Sequence, residues 1–176
     1  MSVYFLKSEL CGSIKIGSST TPDHRLDTLW SWCPWELTLI GLVEGGPIAE
    51  RWAHLVLERH RKKGEWFHGN RAVNKQINKW LKDNKIEGAP PELKDLFKTP
   101  EMMVLDVAKL EKYFQMPKSK IRSVVGISRN TLDNMRVCRR SPGYSIATIA
   151  YAAAERGIDI NFSKLFKVAS TQPVRF

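Results

Sequence analysis

An α+β domain followed by a small all-α domain is the fold class this sequence predicts, and three observations predict it. Short strand-like runs alternate with helix-like ones as far as about residue 86. A stretch bearing Gly and Pro, IEGAPPELKDLFKTP (Ile86 to Pro100), then interrupts the pattern. Everything beyond reads as short helices broken at Pro117, Gly126, Ser141-Pro142-Gly143 and Gly157. The organisation expected is a first domain over 1–86, a linker over 87–103, a second domain over 104–166 and a tail over 167–176.

VYFL (Val3 to Leu6) and SIKIGSST (Ser13 to Thr20) are the first two strands. Strand side chains alternate between faces, so Val3 and Phe5 share one face while Tyr4 takes the other. Ile14 and Ile16 likewise share a face that Lys15 opposes. A phenol and an ammonium set into apolar runs are more than a core requires. Thr21 is a good N-cap, with Pro22 at the first helical position and Asp23 in the first turn, so a helix begins there. LTLIGLVEG (Leu37 to Gly45) is the third strand. PIAERWAHLVLERHRKK repeats apolar residues at helical spacing from Ile48 through Trp52 and Leu55 and stops at Gly64. NRAVNKQINKWLKDN is a further amphipathic helix. Between the last two, Glu65 of GEWF reads as a turn residue while Trp66 and Phe67 anchor the helix that follows. The run LWSWCPW reads as core and loop packing rather than as a platform for stacked bases. The expected order of the first domain is β-β-α-β-α-α.

A hydrophobic content of 43% suffices for packed cores. No apolar run approaches the roughly 18 residues that would span a bilayer, and the N-terminus lacks a basic-then-apolar signal pattern. A cytoplasmic protein without a membrane partner is expected. Its 3 cysteines, Cys11, Cys33 and Cys138, form neither a disulfide framework nor a CxxC knuckle, which suits a reducing compartment. His24, His60 and His68 show no metal spacing with them, which disfavours an HNH-type site. A net charge of +10 nominates a polyanionic partner, nucleic acid first.

The charge clusters in the second half, where Lys118, Lys120, Arg122, Arg129, Arg136, Arg139 and Arg140 face one acid, Asp133, between Pro117 and Ser141. In the same stretch KSKIRSVVGISRNTLDNMRV supplies two short helices with Gly126 at the turn. Ile121 and Val125 face inward from the first helix, and Ile127, Leu132 and Met135 close the small core behind Ser128, a natural N-cap. With RRSPGYSIATIAYAAAERGIDI the region from about Leu105 to Ile160 resembles the phage-repressor type of helix-turn-helix domain. A basic face on a small bundle is most often only a solvated face; the turn, the apolar lock and the basic excess coincide here and favour binding to double-stranded DNA. The resemblance implies that Arg129, Asn130 and Asp133 face base edges, with Asn134, Arg136, Arg139 and Arg140 near phosphates. Such motifs often pair to match two half-sites, which admits a homodimer, although no dimer seam stands out.

VYFL, SIKIGSS, HRLDTL, GPIAERWAHLVL and KKGEWF, in that order over Val3 to about Leu81, resemble the GIY-YIG nuclease superfamily, in its phage and bacterial branch. VYF stands for GIY and KIG for YIG, with Lys15 replacing the second tyrosine. The resemblance implies a three-stranded antiparallel sheet with flanking helices and a divalent-metal-dependent endonuclease, using Mg²⁺ or Mn²⁺. It implies catalytic roles for Tyr4, Lys15, Arg25, Glu50 and His54, with Glu50 the metal ligand and Asn70 the counterpart of a supporting Asn. The chemistry is consistent: phosphodiester hydrolysis needs a base for water, positive charge on the phosphate and a metal near the leaving oxygen. If the two strands pair antiparallel, Tyr4 and Lys15 share a solvent-facing side, where an ammonium favours phenolate. Arg25 offers a guanidinium fork for phosphate, and His54 lies one turn from Glu50. Each also has a plainer reading, as a sheet-surface pair, a helix-surface charge and a solvated pair at four-residue spacing.

The function expected is a phage- or mobile-element-encoded DNA endonuclease, cutting with the first domain and targeted by the second. One rival is a non-catalytic DNA-binding regulator on the same fold. Another is a phage interaction protein that engages a host defence complex.

Overall fold

β1 (Ser2–Ser8) is buried on both faces, which is why Val3, Tyr4, Phe5 and Leu6 form an unbroken run of core residues. The computed structural model describes residues 1–90, 103–137 and 143–168. They fall into two compact units, Met1–Glu92 and Leu93–Phe176.

In the first unit β1 lies between β2 (Ile14–Ser19) and β3 (Leu37–Glu44), antiparallel to both. The sheet continues through β5 (Trp66–Phe67) to β4 (Arg61–Lys63), giving the order β3-β1-β2-β5-β4. The expected three strands are therefore five. KKGEWF, read as a helix end and an anchor, is a hairpin turning at Gly64. The helix before it, α2 (Pro47–Val56), ends early because Leu57, its C-cap, is the last residue with a core to join. Five polar residues of ERHRKK follow Glu58 before the next buried side chain, Phe67, and a single 3₁₀ turn (Glu58–His60) leads into β4. Arg61 secures this corner by bonding Glu58 (2.7 Å), the Gly64 carbonyl and the His54 carbonyl (3.3 Å).

Helices cover both sheet faces. α1 (Pro22–Trp32) packs Leu26 and Leu29 against Tyr4 and Leu6. The opposite face takes α2 and α3 (Arg71–Asp83), whose Trp80 stacks on Phe5 with ring centroids 6.1 Å apart. Asn70 caps α3 by accepting from the Val73 amide at 3.0 Å. The start of the expected linker is packed on this unit: Ile86 is buried, and the Trp52 indole donates to the Glu87 carbonyl at 3.1 Å.

The second unit is not all-α. β6 (Met103–Leu105) pairs antiparallel with β7 (Phe166–Val168), so Lys167 and Val168, assigned above to a tail, are ladder residues. MMVLDVAKLEKYF reads as one helix, but Asp106 divides it: its side chain accepts from the Lys109 amide at 3.2 Å and starts α4 (Val107–Phe114). The strand before it pairs with residues some sixty positions along the chain, which local pattern cannot reveal. α5 (Lys118–Val125) ends at Gly126, whose φ of +69° is a left-handed conformation that favours glycine. Ser128 accepts from the Thr131 amide at 3.0 Å and opens α6 (Arg129–Val137). Ile121, Val125, Ile127 and Leu132 are buried together with Ile146 and Ile149 of α7 (Gly143–Ala154), and Leu165 of α8 (Phe162–Leu165) is buried as well.

The packing of Ile86 and Glu87 makes a testable difference between two truncations. A fragment of residues 1–92 retains both contacts, whereas one of residues 1–85 loses a buried isoleucine and the Glu87 carbonyl that accepts from Trp52. Urea denaturation should find the shorter fragment less stable by about 2–4 kcal/mol. Equal stability would place Ile86 and Glu87 outside the folded unit.

Candidate active site

The register of β1 on β2 sets Tyr4 opposite Gly17 and Leu6 opposite Lys15, so Tyr4, Leu6, Lys15 and Gly17 share one face. That face is not open to solvent as expected. Tyr4 is 1% exposed and Lys15 8%, because α1 and Trp66 lie over it. The phenol crosses Gly17 so closely that a Cβ there would sit 2.4 Å from Tyr4 Oη. The glycine of KIG is thus the space into which the tyrosine of VYF folds.

Lys15 directs its ammonium to Glu65, an ion pair made possible because β5 sets Trp66 opposite Lys15 and so brings the preceding residue to the end of β2. Strand pairing on this edge covers only Ile14 and Lys15, and the Ile16 amide bonds the Glu65 carbonyl at 3.0 Å. Glu50 arrives from the first turn of α2, anchored by buried Ile48, Ala49, Trp52 and Ala53, and accepts a hydrogen bond from the Ser18 hydroxyl. Burial pushes the Glu50 carboxyl above its ordinary value, and the Glu65 charge adds to this; Ser18 and Lys15 act the other way. Lys15, Glu65 and the Tyr4 phenol thus lie along one face of β2, while Ser18 and Glu50 lie on the α2 side of the same strand, within electrostatic reach of Glu65 and Lys15.

His54 lies one turn beyond Glu50 and is buried against Phe67, ring centroids 5.2 Å apart. Its Nε2 is 3.0 Å from the Ile16 carbonyl and 3.9 Å from Glu50 Oε1. Burial, reinforced by Arg61 and Arg51, lowers its pKa to about 4. The ring is neutral at pH 7, donates Nε2–H to Ile16 and ties α2 to β2; its approach to Glu50 is not an ion pair.

Arg25 stands exposed on the first turn of α1 and makes no ion pair among the described residues. Asn70 is the cap of α3, and its Nδ2 lies 3.1 Å from His60 Nδ1. The structure thus brings Tyr4, Lys15, Glu50 and His54 together around β2 and leaves Arg25 at the surface. Sequence reasoning read Glu65 only as the turn residue that it is, and passed over Ser18 and Gly17. The signal for Glu65 lay in GEWF, once its tryptophan is recognised as a strand residue facing Lys15.

In the second unit Arg129 and Asn130 are exposed at the start of α6. Asp133 is engaged, 2.6 Å from Lys118 Nζ and 3.7 Å from Arg129 Nε, so it bridges α5 and α6 instead of standing free for a base edge. Asn134, Met135 and Arg136 lie on α6 with side chains outside those described, and Arg139 and Arg140 lie outside the described residues. Among the described residues no cluster of three or more His, Cys, Asp or Glu is arranged to hold a metal, and no helix is long and apolar enough to cross a membrane.

Residues 1–85 match the family model of the T5orf172 domain, a phage-associated domain of the GIY-YIG/HNH-like nuclease type. The match suggests a phage-associated, nuclease-like action on DNA for the first unit. Neither a curated protein nor a solved structure matches the chain.

Two titrations test the site. The unfolded chain protonates His54 near 6.5 and the folded one only near 4, so its contribution is fully present above 6.5 and is lost as pH falls to about 4. Replacing His54 with Gln should remove about 3 kcal/mol of the stability loss between pH 7.5 and 4 in urea melts. An unchanged acid slope would show that the ring is not buried neutral. For Glu50, carboxyl carbon NMR should give a midpoint above the ordinary 4.5. Glu65→Gln should bring it down, since it removes one negative neighbour and frees Lys15; no movement would separate the two carboxylates.

Proposed function

We propose that the chain is a metal-dependent DNA endonuclease of the GIY-YIG type, with the first unit hydrolysing phosphodiester bonds and the second holding double-stranded DNA. The observation that carries this reading is that Glu50, Glu65 and Lys15 lie within electrostatic reach of one another around residues 15–18 of β2. All three lie within the stretch that matches a nuclease-like domain. A carboxylate made harder to ionise first by burial and further by a second one nearby is a natural host for a hard cation. Mg²⁺ is commonly held by one or two carboxylates, with phosphate and water completing its shell, so the small donor set fits. Glu50 and Glu65 would hold Mg²⁺ or Mn²⁺, which would neutralise charge on the phosphate and leaving oxygen.

The chain's own groups divide the remaining work. Tyr4, acting as its phenolate, accepts the proton of the attacking water and becomes the neutral phenol, and Lys15 supplies positive charge beside it. Arg25, exposed on α1, grips a phosphate by its fork of donors. His54 is a positioning residue: bonded to Ile16, it keeps α2 against β2 so that Glu50 stays at the strand end. In the second unit α5, Gly126 and α6 act as a helix-turn-helix that offers Arg129 and Asn130 to base edges. Joining the units raises the effective concentration of DNA at a cutter with little grip of its own.

The test is nicking of supercoiled plasmid by the full chain with Mg²⁺, with Mn²⁺ and with chelator. Cleavage should require metal and fall at least about a hundredfold in Glu50→Gln, whose shape is unchanged. DNA binding without cleavage under either metal would make the first unit a binding module. Full activity in Glu50→Gln would remove that residue from the site.

A further inference from the structure

The tryptophans of the run LWSWCPW stay out of the core, although Leu29 and Cys33 pack against it. Trp32 is 84% exposed, Trp35 52% and Trp30 44%. Trp30 has a structural task, since its indole donates to the Leu37 carbonyl at 3.0 Å. Trp35 has a different setting, forming with Trp66 the aromatic walls of a cavity of about 200 Å³. Ser8, Ser13, Lys62 and Lys63 supply its polar lining. Lys62 Nζ is held 3.1 Å from Ser13 Oγ, and the buried Ser8 hydroxyl faces the Cys11 thiol.

The location is informative. Ser8 continues the face of Tyr4 and Leu6, and Ser13 the face of Gly17 and Lys15. The cavity is therefore two residues along the same strand face from Lys15, about 6–7 Å. That is roughly twice the 3.4 Å rise per nucleotide of a stacked strand, the reach of one unstacked nucleotide. The cavity is smaller than the roughly 300–1,000 Å³ typical of drug-sized ligands, so it suits one ring system. Its lining has two cations and no carboxylate, which selects an anionic polymer over a peptide of the chain's own basic character.

We propose that this cavity takes one unstacked nucleobase of the DNA strand running past Lys15. The ring stacks on Trp35, the Ser8 and Ser13 hydroxyls meet its edge, and Lys62 and Lys63 hold the neighbouring phosphate. Stacking on an exposed aromatic tolerates any base, so the site favours locally unpaired DNA over a particular sequence. The inference rests on the nuclease reading for its choice of polymer and is tested without cleavage.

The Cys11 thiol lining the cavity is the reporter, lowered to about 7 first by its hydrogen bond to Ser13, then by the Ser8 hydroxyl and least by Lys62, so it alkylates readily near neutral pH. The full chain is mixed in chelator with a 20-residue mixed-sequence single strand or its duplex, and Cys11 alkylation is followed by peptide mass spectrometry alongside binding. The single strand should slow Cys11 alkylation, and Trp35→Ala should abolish that protection. Trp35→Ala should also weaken single-strand binding at least about fivefold while Trp32→Ala leaves it unchanged. Cys11 left unprotected by a strand that binds overturns the proposal. So does an equal loss in Trp32→Ala, which would indicate a general adhesive surface. Protection in a protein that never cuts plasmid keeps the cavity and removes the nuclease; cutting without protection does the reverse.

Discussion

The register of β1 on β2 is the constraint on which the first unit depends. It sets Tyr4 over the bare backbone of Gly17 and Leu6 beside Lys15. A slip of one residue would exchange the two faces of β1, sending Tyr4 toward α3 and Phe5 toward α1. Both faces are covered, so neither exchange is tolerated. Trp80 fits the ring of Phe5, and only a glycine fits under the phenol. Core packing and placement of the site are therefore one requirement, met by the same residues.

That arrangement explains how charged groups are held in a largely buried place. Glu50 is only partly solvated, and each neighbour affects its ionisation with a definite sign. Lys15 could not remain buried as a lone cation; Glu65 accompanies it from the solvent side. His54 avoids the same difficulty by being neutral, which lets it act as a hydrogen-bonded rivet between α2 and β2. The hairpin of β4 and β5 is then more than sheet decoration. It supplies Glu65, sets Trp66 over Lys15 and places Lys62 and Lys63 along the same edge.

The second unit solves a different problem. Its short helices bury small apolar contributions each, too little for any one to persist alone. The ladder of β6 with β7 joins the two ends of the unit, and the Asp106 amide bonds the Leu165 carbonyl at 2.9 Å beside it. Closing the ends in this way holds α4 to α7 around one core. Asp133 adds a further tie between α5 and α6 through Lys118.

The sequence by itself determined the main strands, most helices and their caps, because alternation, 3.6-residue spacing and capping chemistry are local. Asn70, Asp106 and Ser128 each cap a helix for a reason visible within a few residues, although Asp106 was overlooked inside an apolar run; the Thr21 side chain makes no cap hydrogen bond, and Pro22 marks the start of α1. Local pattern also identified Tyr4 and Lys15 as out of place in a core, and Glu50 with His54 as one helix face. Only the tertiary structure decided what covers them. Burial of Tyr4 and Lys15 depends on α1 folding back over the sheet, and exposure of Trp32 and Trp35 on the same helix running out of sheet to cover. The partnership of Lys15 with Glu65 spans fifty residues, and β6 with β7 spans more. Such pairings depend on where distant segments meet, information that no short window of sequence carries.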